Sequence, residues 1–392
     1  MLKYEFIHSN HEKPTDSLFD KLPPFIGDVY HSRHNMGNGE WQRIHWCCDE
    51  KIFDANRDQL IANGFSVWQE NTIGANRFVT LENGELEVHL SRFSHLDQVR
   101  ITVEPLSTLP IRPEDNKYTD RGFKPTVTQL FTDFSDVDCG MSYCCQLCDG
   151  SFAVIDGGMS HHGEADQLYN HMISKLPEGE KPVIAFWVLT HHHPDHVNCF
   201  KDFASRYLDK VDVEAIVYNN PCYEKSLRTG EYLIKEYTLI EEAVEKFPET
   251  TKIYKPHCGE IYHVRNAVFE TYYTQDELAG LDMSNTNNTS IVFKMTLGNK
   301  KVLWLGDVGA TASRFLIPAY KDLLKSDVVQ IAHHGYGDAP WALYFYVQAP
   351  VALWPVPDYR TDVIDKLSKF LTQHGGVKEI YFAHAGDHTV EC

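Results

Sequence analysis

Four metal-binding side chains fall within six residues of one another: His191, His193, Asp195 and His196, in the segment THHHPDH that starts at Thr190. Imidazole nitrogens and carboxylate oxygens are the donors that suit borderline divalent cations such as Zn²⁺. A cation held there lowers the pKa of a bound water to about 7, so that a nucleophile is available at neutral pH. The donors need a rigid support, and the residues before them supply one. Residues 183–189, VIAFWVL, form a continuous apolar run that predicts a strand buried on both faces. In extended backbone every second side chain shares a side, so past the strand's end His191, His193 and Asp195 converge while His192 and Pro194 point away. Pro194 favours this by pushing His193 toward extended geometry. His196 adds a fourth donor where a helix could start. The chain has 21 His, which makes a chance cluster the alternative. The regular spacing and the strand before it argue against chance.

H-x-H-x-D-H after a hydrophobic strand resembles the metallo-β-lactamase fold superfamily of two-metal hydrolases. Three further segments resemble that family in the same order. Ser151-Phe-Ala-Val-Ile-Asp156-Gly157-Gly158 matches its opening strand and Asp-Gly turn. Lys301-Val-Leu-Trp-Leu-Gly-Asp307 is an apolar strand ending where the family places a carboxylate that bridges its metals. Asp327-Val-Val-Gln-Ile-Ala-His333-His334-Gly335 ends where its last ligand sits. The stretch beginning Asn287-Asn-Thr-Ser, with LWLGD and IAHHG, looks most like the metallo-hydrolase domain of bacterial DNA-uptake channel proteins. It is similar also to choline-phosphate esterases of cell-surface teichoic acids. The match covers roughly residue 126 to the C-terminus.

The resemblance implies a fold and a site. The fold is α/β, a four-layer αββα sandwich. His191 and His193 would hold the first metal; Asp195, His196 and His333 the second; Asp307 would bridge. Two zinc ions are expected, with Mn or Fe as possible replacements. The reaction implied is attack of metal-bound hydroxide on an ester, with a phosphodiester or phosphoester as the leading class and a lactone or thioester as the alternative. A non-catalytic binding protein on this fold is the reading outside enzymes. Asp195, His334 and His384 are the residues expected to act in catalysis. Asp156 is a candidate to orient a ligand His, with a plain turn residue as the equal alternative. Along residues 327–333 odd positions share one side, so only one of His333 and His334 can follow the inward set. The resemblance favours His333 as ligand and leaves His334 for substrate or water.

The sequence departs from the family in three places. A third His for the first metal is missing near residues 273–277; His257 and His263 fall one strand too early, so that metal is expected to have fewer protein ligands. Tyr336 follows HHG where the similar branch tends to have Ser, and it could stack on a substrate or donate to an oxyanion. The late pair His384 and His388 follows a strand, and His384 could reach the cleft as a proton donor.

Bulk numbers bound the partners. A chain of 392 residues is comfortable for two domains, and 43% hydrophobic with 12% aromatic content can pack a core. Net charge −19 and the absence of any Lys/Arg cluster disfavour nucleic acid. A small or modest-sized ester substrate is expected instead; the oligomeric state is open. No apolar run approaches the length of about 18 residues that spans a membrane. MLKYEFIHSNHEK lacks the pattern of a secretory signal, which predicts a cytoplasmic protein. The ten Cys are then expected as reduced thiols. Cys144, Cys145 and Cys148 sit in a predicted core strand, and no second C-x-x-C follows to make a zinc site.

Residues 1–125 do not resemble the family and are expected to form a small α+β domain ending in a Pro-rich linker, with residues 126–392 as the second domain. A helix is predicted over 49–63, then strands over 65–71, 77–81, 85–92 and 98–104, with Asn83-Gly84 as a hairpin turn. His8, His11, His31, His34, His45, His89 and His95 are scattered there without ligand spacing, which predicts surface or core roles. In the second domain, helices are predicted over 199–207, 231–247, 310–324 and 362–373, between strands.

Overall fold

The structure is a computed structural model that describes residues 17–27, 30–37, 39–46, 48–135, 139–221, 240–281, 285–337 and 340–392. The chain opens on a six-stranded antiparallel sheet of β1 (His31–Gly37), β2 (Glu40–Trp46), β3 (Ser66–Ile73), β4 (Asn76–Glu82), β5 (Leu86–Phe93) and β6 (Gln98–Pro105), in the order β1-β2-β6-β5-β4-β3. Helix α1 (Glu50–Ala62) covers one face, capped by Asp49, whose carboxylate accepts from the Ile52 N–H at 3.0 Å. Phe53 and Leu60 pack there on Val79, Leu81, Val88 and Leu90. Strands β1 and β2 lie where the sequence pattern shows none.

Two sheets follow. The first contains β7 (Thr126–Gln129), β8 (Ser142–Gln146), β9 (Phe152–Asp156), β10 (Val183–Val188), β11 (Asp212–Val213), β12 (Ala215–Val217) and β13 (Lys252–Tyr254). The second contains β14 (Ile261–Val264), β15 (Ala267–Tyr273), β16 (Val292–Leu297), β17 (Lys300–Trp304), β18 (Val328–Gln330), β19 (Val351–Trp354) and β20 (Glu379–Phe382). The last strand, β21 (His388–Glu391), returns to the first sheet and pairs with β7. Phe186, Val188, Tyr143, Phe269, Phe293 and Trp304 fill the space between the sheets. Helices α2 (Glu164–Ser174) and α3 (Pro194–Arg206) cover the first sheet's outer face, burying Leu168, Phe200 and Phe203 on Ile184 and Trp187. Helices α4 (Ala310–Tyr320), α5 (Ala342–Val347) and α6 (Thr361–Gln373) cover the second. The architecture is the four-layer αββα sandwich. The helix expected over 231–247 lies mostly outside the described residues.

The strand β10 supplies both interiors at once. Phe186 and Val188 face the other sheet while Ile184, Trp187 and Leu189 face the helices, which is why its run is apolar without alternation. The N-terminal sheet is not a detached unit: Ile73, Phe78 and Phe93 share one core with Tyr272, Tyr273 and Leu316 of the sandwich. Gln69 and Asn76 also donate to the carbonyls of Ile261 and Ala319, at 2.7 and 2.8 Å.

Candidate metal centre

Three strand ends deliver the donors to one place: the C-terminal ends of β10, β17 and β18. The expected strand path of the first cluster needs correcting. His193 is extended (φ −75°, ψ 148°), but α3 starts at Pro194, so Asp195 stands in its first helical turn rather than on a continuing strand, and His196 follows it there, where a helix start was expected. Proline at a helix's first position sacrifices no hydrogen bond, because that N–H has no intrahelical partner. The helical turn swings Asp195 and His196 to one cluster and leaves His191 and His193 in another.

The first group is Asp195, His196, Asp307 and His334, all buried; the second is His191, His193 and Asp307. Asp307 belongs to both. Around Asp307 Oδ2, His196 Nε2 lies at 3.3 Å, His334 Nε2 at 3.5 Å and His191 Nε2 at 3.9 Å. Asp195 Oδ2 lies 3.0 Å from His334 Nε2 and 3.5 Å from His196 Nε2. Ligands bound tetrahedrally at about 2.1 Å stand about 3.4 Å from one another, so this spacing fits a cation. The buried atoms His191 Nε2, His196 Nε2 and Asp307 Oδ1 have no hydrogen-bond partner, a state expensive to leave unmet unless an ion takes those lone pairs. The donor set fits the metal that the fold implies.

The correction concerns the last ligand. His334, not His333, joins the group. The chain leaves β18 at Gln330, and His333 (φ 47°) and His334 (φ 51°) are both left-handed. Two successive left-handed residues break the alternation that the strand parity assumed. His334 turns inward, with Nδ1 held by the Pro355 carbonyl at 2.7 Å. His333, half-buried, puts its Nε2 3.1 Å from Asn287 Nδ2. His384 is outside both groups; its Nδ1 donates to the Val356 carbonyl at 2.6 Å. Tyr336 stands at the rim, its ring 5.7 Å from that of His334.

Behind the donors, Asp156 holds the scaffold. Its carboxylate accepts from Thr190 N at 2.7 Å and Thr190 Oγ1 at 2.8 Å, and pairs with His196 Nδ1 at 2.7 Å. This leaves His196 Nε2 as the free donor atom. Gly306 (φ +52°) lets the β17 turn reach Ser290: a Cβ there would lie 2.8 Å from the Ser290 Cβ. Ser290 Oγ then accepts from the Asp307 N–H at 2.9 Å.

The charges are strongly coupled. Burial opposes protonation of His196, but Asp307, Asp195 and Asp156 hold its imidazole well above the usual range. Burial also opposes charge on His334, yet Asp307 and Asp195 raise it to about 9. Burial, then the neighbouring imidazoles of His196 and His193, push His191 well below the usual range. Burial would raise Asp195 and Asp307, but His196 and His334 draw both down. Paired carboxylates at this depth demand positive charge, which protons on two imidazoles or a metal ion can supply.

A family model described as the metallo-beta-lactamase superfamily matches residues 148–344, just over half of the chain. The chain belongs to this superfamily. The matched span holds both donor groups around Asp307. Among solved structures, the chain is similar to the metallo-beta-lactamase fold protein YhfI from Bacillus subtilis, with 12% identity over 68% of this chain and 100% of that one (TM-score 0.43). It is similar also to CmlA, a diiron beta-hydroxylase from Streptomyces venezuelae, with 13% identity over 74% of this chain and 55% of that one (TM-score 0.39). A metallo-beta-lactamase of Cronobacter sakazakii with a HARLDQ motif shows 14% identity over 61% of this chain and 80% of that one (TM-score 0.32). No curated protein matches significantly. Among the described residues of this superfamily member, no helix is long and apolar enough to cross a membrane.

The sequence reading missed a second set of donors. Glu87, His89, Glu104 and His257 also converge, buried, between the N-terminal sheet and the sandwich. Glu87 and His89 alternate on β5, a signal present in the sequence as E-V-H; their partners come from distant segments. Cys144, Cys145 and Cys148 are buried free thiols.

Proposed function

We propose that the chain is a binuclear metal-dependent hydrolase that cleaves a small or modest-sized ester, with phosphodiesters and phosphoesters as the substrate class. One observation carries this reading: two donor groups, buried except for the partly exposed His193, share the single carboxylate of Asp307. His191, His193 and Asp307 would hold one divalent ion, and Asp195, His196, His334 and Asp307 the other, zinc being the first choice for nitrogen and oxygen donors and Mn or Fe the alternatives. Two such ions supply Lewis acidity and a water of lowered pKa. Asp156 fixes the tautomer of His196, and the Pro355 carbonyl fixes that of His334, so both imidazoles keep Nε2 for the centre. Near His334, the Tyr336 ring carries the Arg360 guanidinium at 4.2 Å from its centroid, with Arg360 Nε also 3.4 Å from Asp362 Oδ1. His333 and Asn287 stand beside it for substrate contact.

The test is purified protein reconstituted with Zn²⁺ or Mn²⁺ and offered a panel of chromogenic phosphodiesters, phosphomonoesters, lactones and thioesters. Metal-dependent turnover highest on a phosphodiester or phosphomonoester is expected. A preference for lactones or thioesters would transfer the assignment to those classes, and inertness toward all with both metals bound would favour a binding protein.

A further inference from the structure

The N-terminal sheet turns one face to α1 and buries the other against the sandwich. That second face carries charge where an apolar seam would be cheaper. Glu87 on β5 pairs with Glu104 on β6, and Glu40 on β2 lies one step beyond the Trp41–Val103 pair, beside Glu104. All three are at most 4% exposed. Like charges opposite one another on adjacent strands are destabilising, more so out of water.

Two imidazoles meet these carboxylates. His89 follows Glu87 by two positions on β5, and His257 arrives from the segment between β13 and β14. His257 Nε2 lies 2.5 Å from Glu104 Oε1, and His89 Nε2 lies 3.3 Å from Glu87 Oε1. The crossed distances, His89 Nε2 to Glu104 Oε1 and His257 Nε2 to Glu87 Oε1, are 3.8 and 4.0 Å. Behind each of the four stands a partner. His257 Nδ1 pairs with Asp276 Oδ2 at 2.7 Å; His89 Nδ1 faces Glu260 Oε1 at 3.4 Å and Thr80 Oγ1 at 3.2 Å. Glu87 Oε2 accepts from Ser107 N at 2.9 Å, and Glu104 Oε2 accepts from Lys255 Nζ at 2.5 Å. An imidazole whose far nitrogen is held by a carboxylate is oriented as metal ligands are.

Five carboxylates, Glu40, Glu87, Glu104, Glu260 and Asp276, face one lysine and two imidazoles here. Lys255 answers Glu40 and Glu104, which leaves Glu87, Glu260 and Asp276 to the imidazoles. Those rings stack face to face, 3.7 Å apart at 22°, so two imidazolium charges would repel. On the same face, Glu40 Oε1 is buried without a hydrogen-bond partner, a direct sign of surplus acceptors.

We propose that Glu87, His89, Glu104 and His257 hold a divalent metal ion, zinc by preference, that clamps the N-terminal sheet to the sandwich. Four protein ligands from a buried pocket leave no open coordination position, which makes the role structural. A dication between the two rings would answer the surplus carboxylates without placing charge on both imidazoles. This site is separate from the two groups around Asp307 and does not depend on the hydrolase reading.

The test uses the full chain, stripped with a chelator and titrated with Zn²⁺ at neutral pH against a chromophoric competitor. In H191A/H196A/D307A, which leaves only Asp195 and His334 of one group and His193 of the other, one tight equivalent is expected to remain and to raise Tm by several degrees. With Co²⁺ that equivalent should show the visible bands of a tetrahedral nitrogen and oxygen site. A folded triple variant that binds neither ion tightly would overturn the clamp, whatever the wild type does at its other centre. If the triple variant does not fold, wild type is compared with H89Q: one fewer equivalent in H89Q supports the clamp, and equal counts refute it.

Discussion

His196 Nδ1 and Asp156 Oδ2 lie 2.7 Å apart, both buried, on segments brought together by the parallel pairing of β9 with β10. This contact decides which nitrogen of His196 faces the centre. Asp156→Asn keeps an acceptor for the Thr190 N–H but presents an amide N–H to His196, which favours the wrong tautomer. Metal affinity of the first group is expected to fall about 10- to 100-fold, read by Zn²⁺ titration with a competing chelator. Wild-type affinity in a folded Asn variant would mean that Asp156 only shapes the turn.

His333 and His334 should separate cleanly. His334→Ala removes a donor 3.0 Å from Asp195 and 3.5 Å from Asp307, so one metal equivalent should be lost by elemental analysis. His333→Ala should keep the metal content and raise KM, since His333 stands outside both donor groups. The reverse pattern would restore His333 as ligand.

Asp307→Ala is expected to reduce kcat on the order of a hundredfold or more, the scale of losing one transition-state contact. Thermal stability should change far less, because the side chain points at polar donors and not into an apolar core. Near wild-type turnover would show that Asp307 merely ends β17.

Lys294 on β16 gives a pH signature away from the centre. Its Nζ donates to the Leu323 and Lys325 carbonyls, and burial lowers its pKa from 10.5 to about 8 in the folded chain despite Glu270. Between those two values the unfolded state binds more protons than the native state, so this group's contribution to stability rises with pH across that window. Lys294→Met removes the slope. The wild-type minus variant difference in unfolding free energy, by denaturant titration at several pH values, should therefore rise from about pH 8 to 10.5 and flatten outside it. A flat difference throughout would contradict the depressed pKa.

What the sequence by itself determined was local. Six residues from His191 to His196 cannot scatter, so their convergence was legible from spacing and from the apolar strand before them. The helix that follows Asp49, the Asn83-Gly84 turn and strand β10 were legible for the same reason: near neighbours set them. Tertiary structure decided the rest. Strands β1 and β2 escaped notice because Glu40 and Gln42, 2% and 1% exposed, face a polar seam, so burial leaves no apolar alternation to read. His334 displaced His333 because packing imposes two left-handed residues that no strand parity foresees. Pro194 started a helix early enough to turn Asp195 away from His191 and His193. Most of all, His89 and His257 meet only because one face of the N-terminal sheet is pressed onto the sandwich, and a contact between distant segments leaves no period or spacing in the chain to announce it.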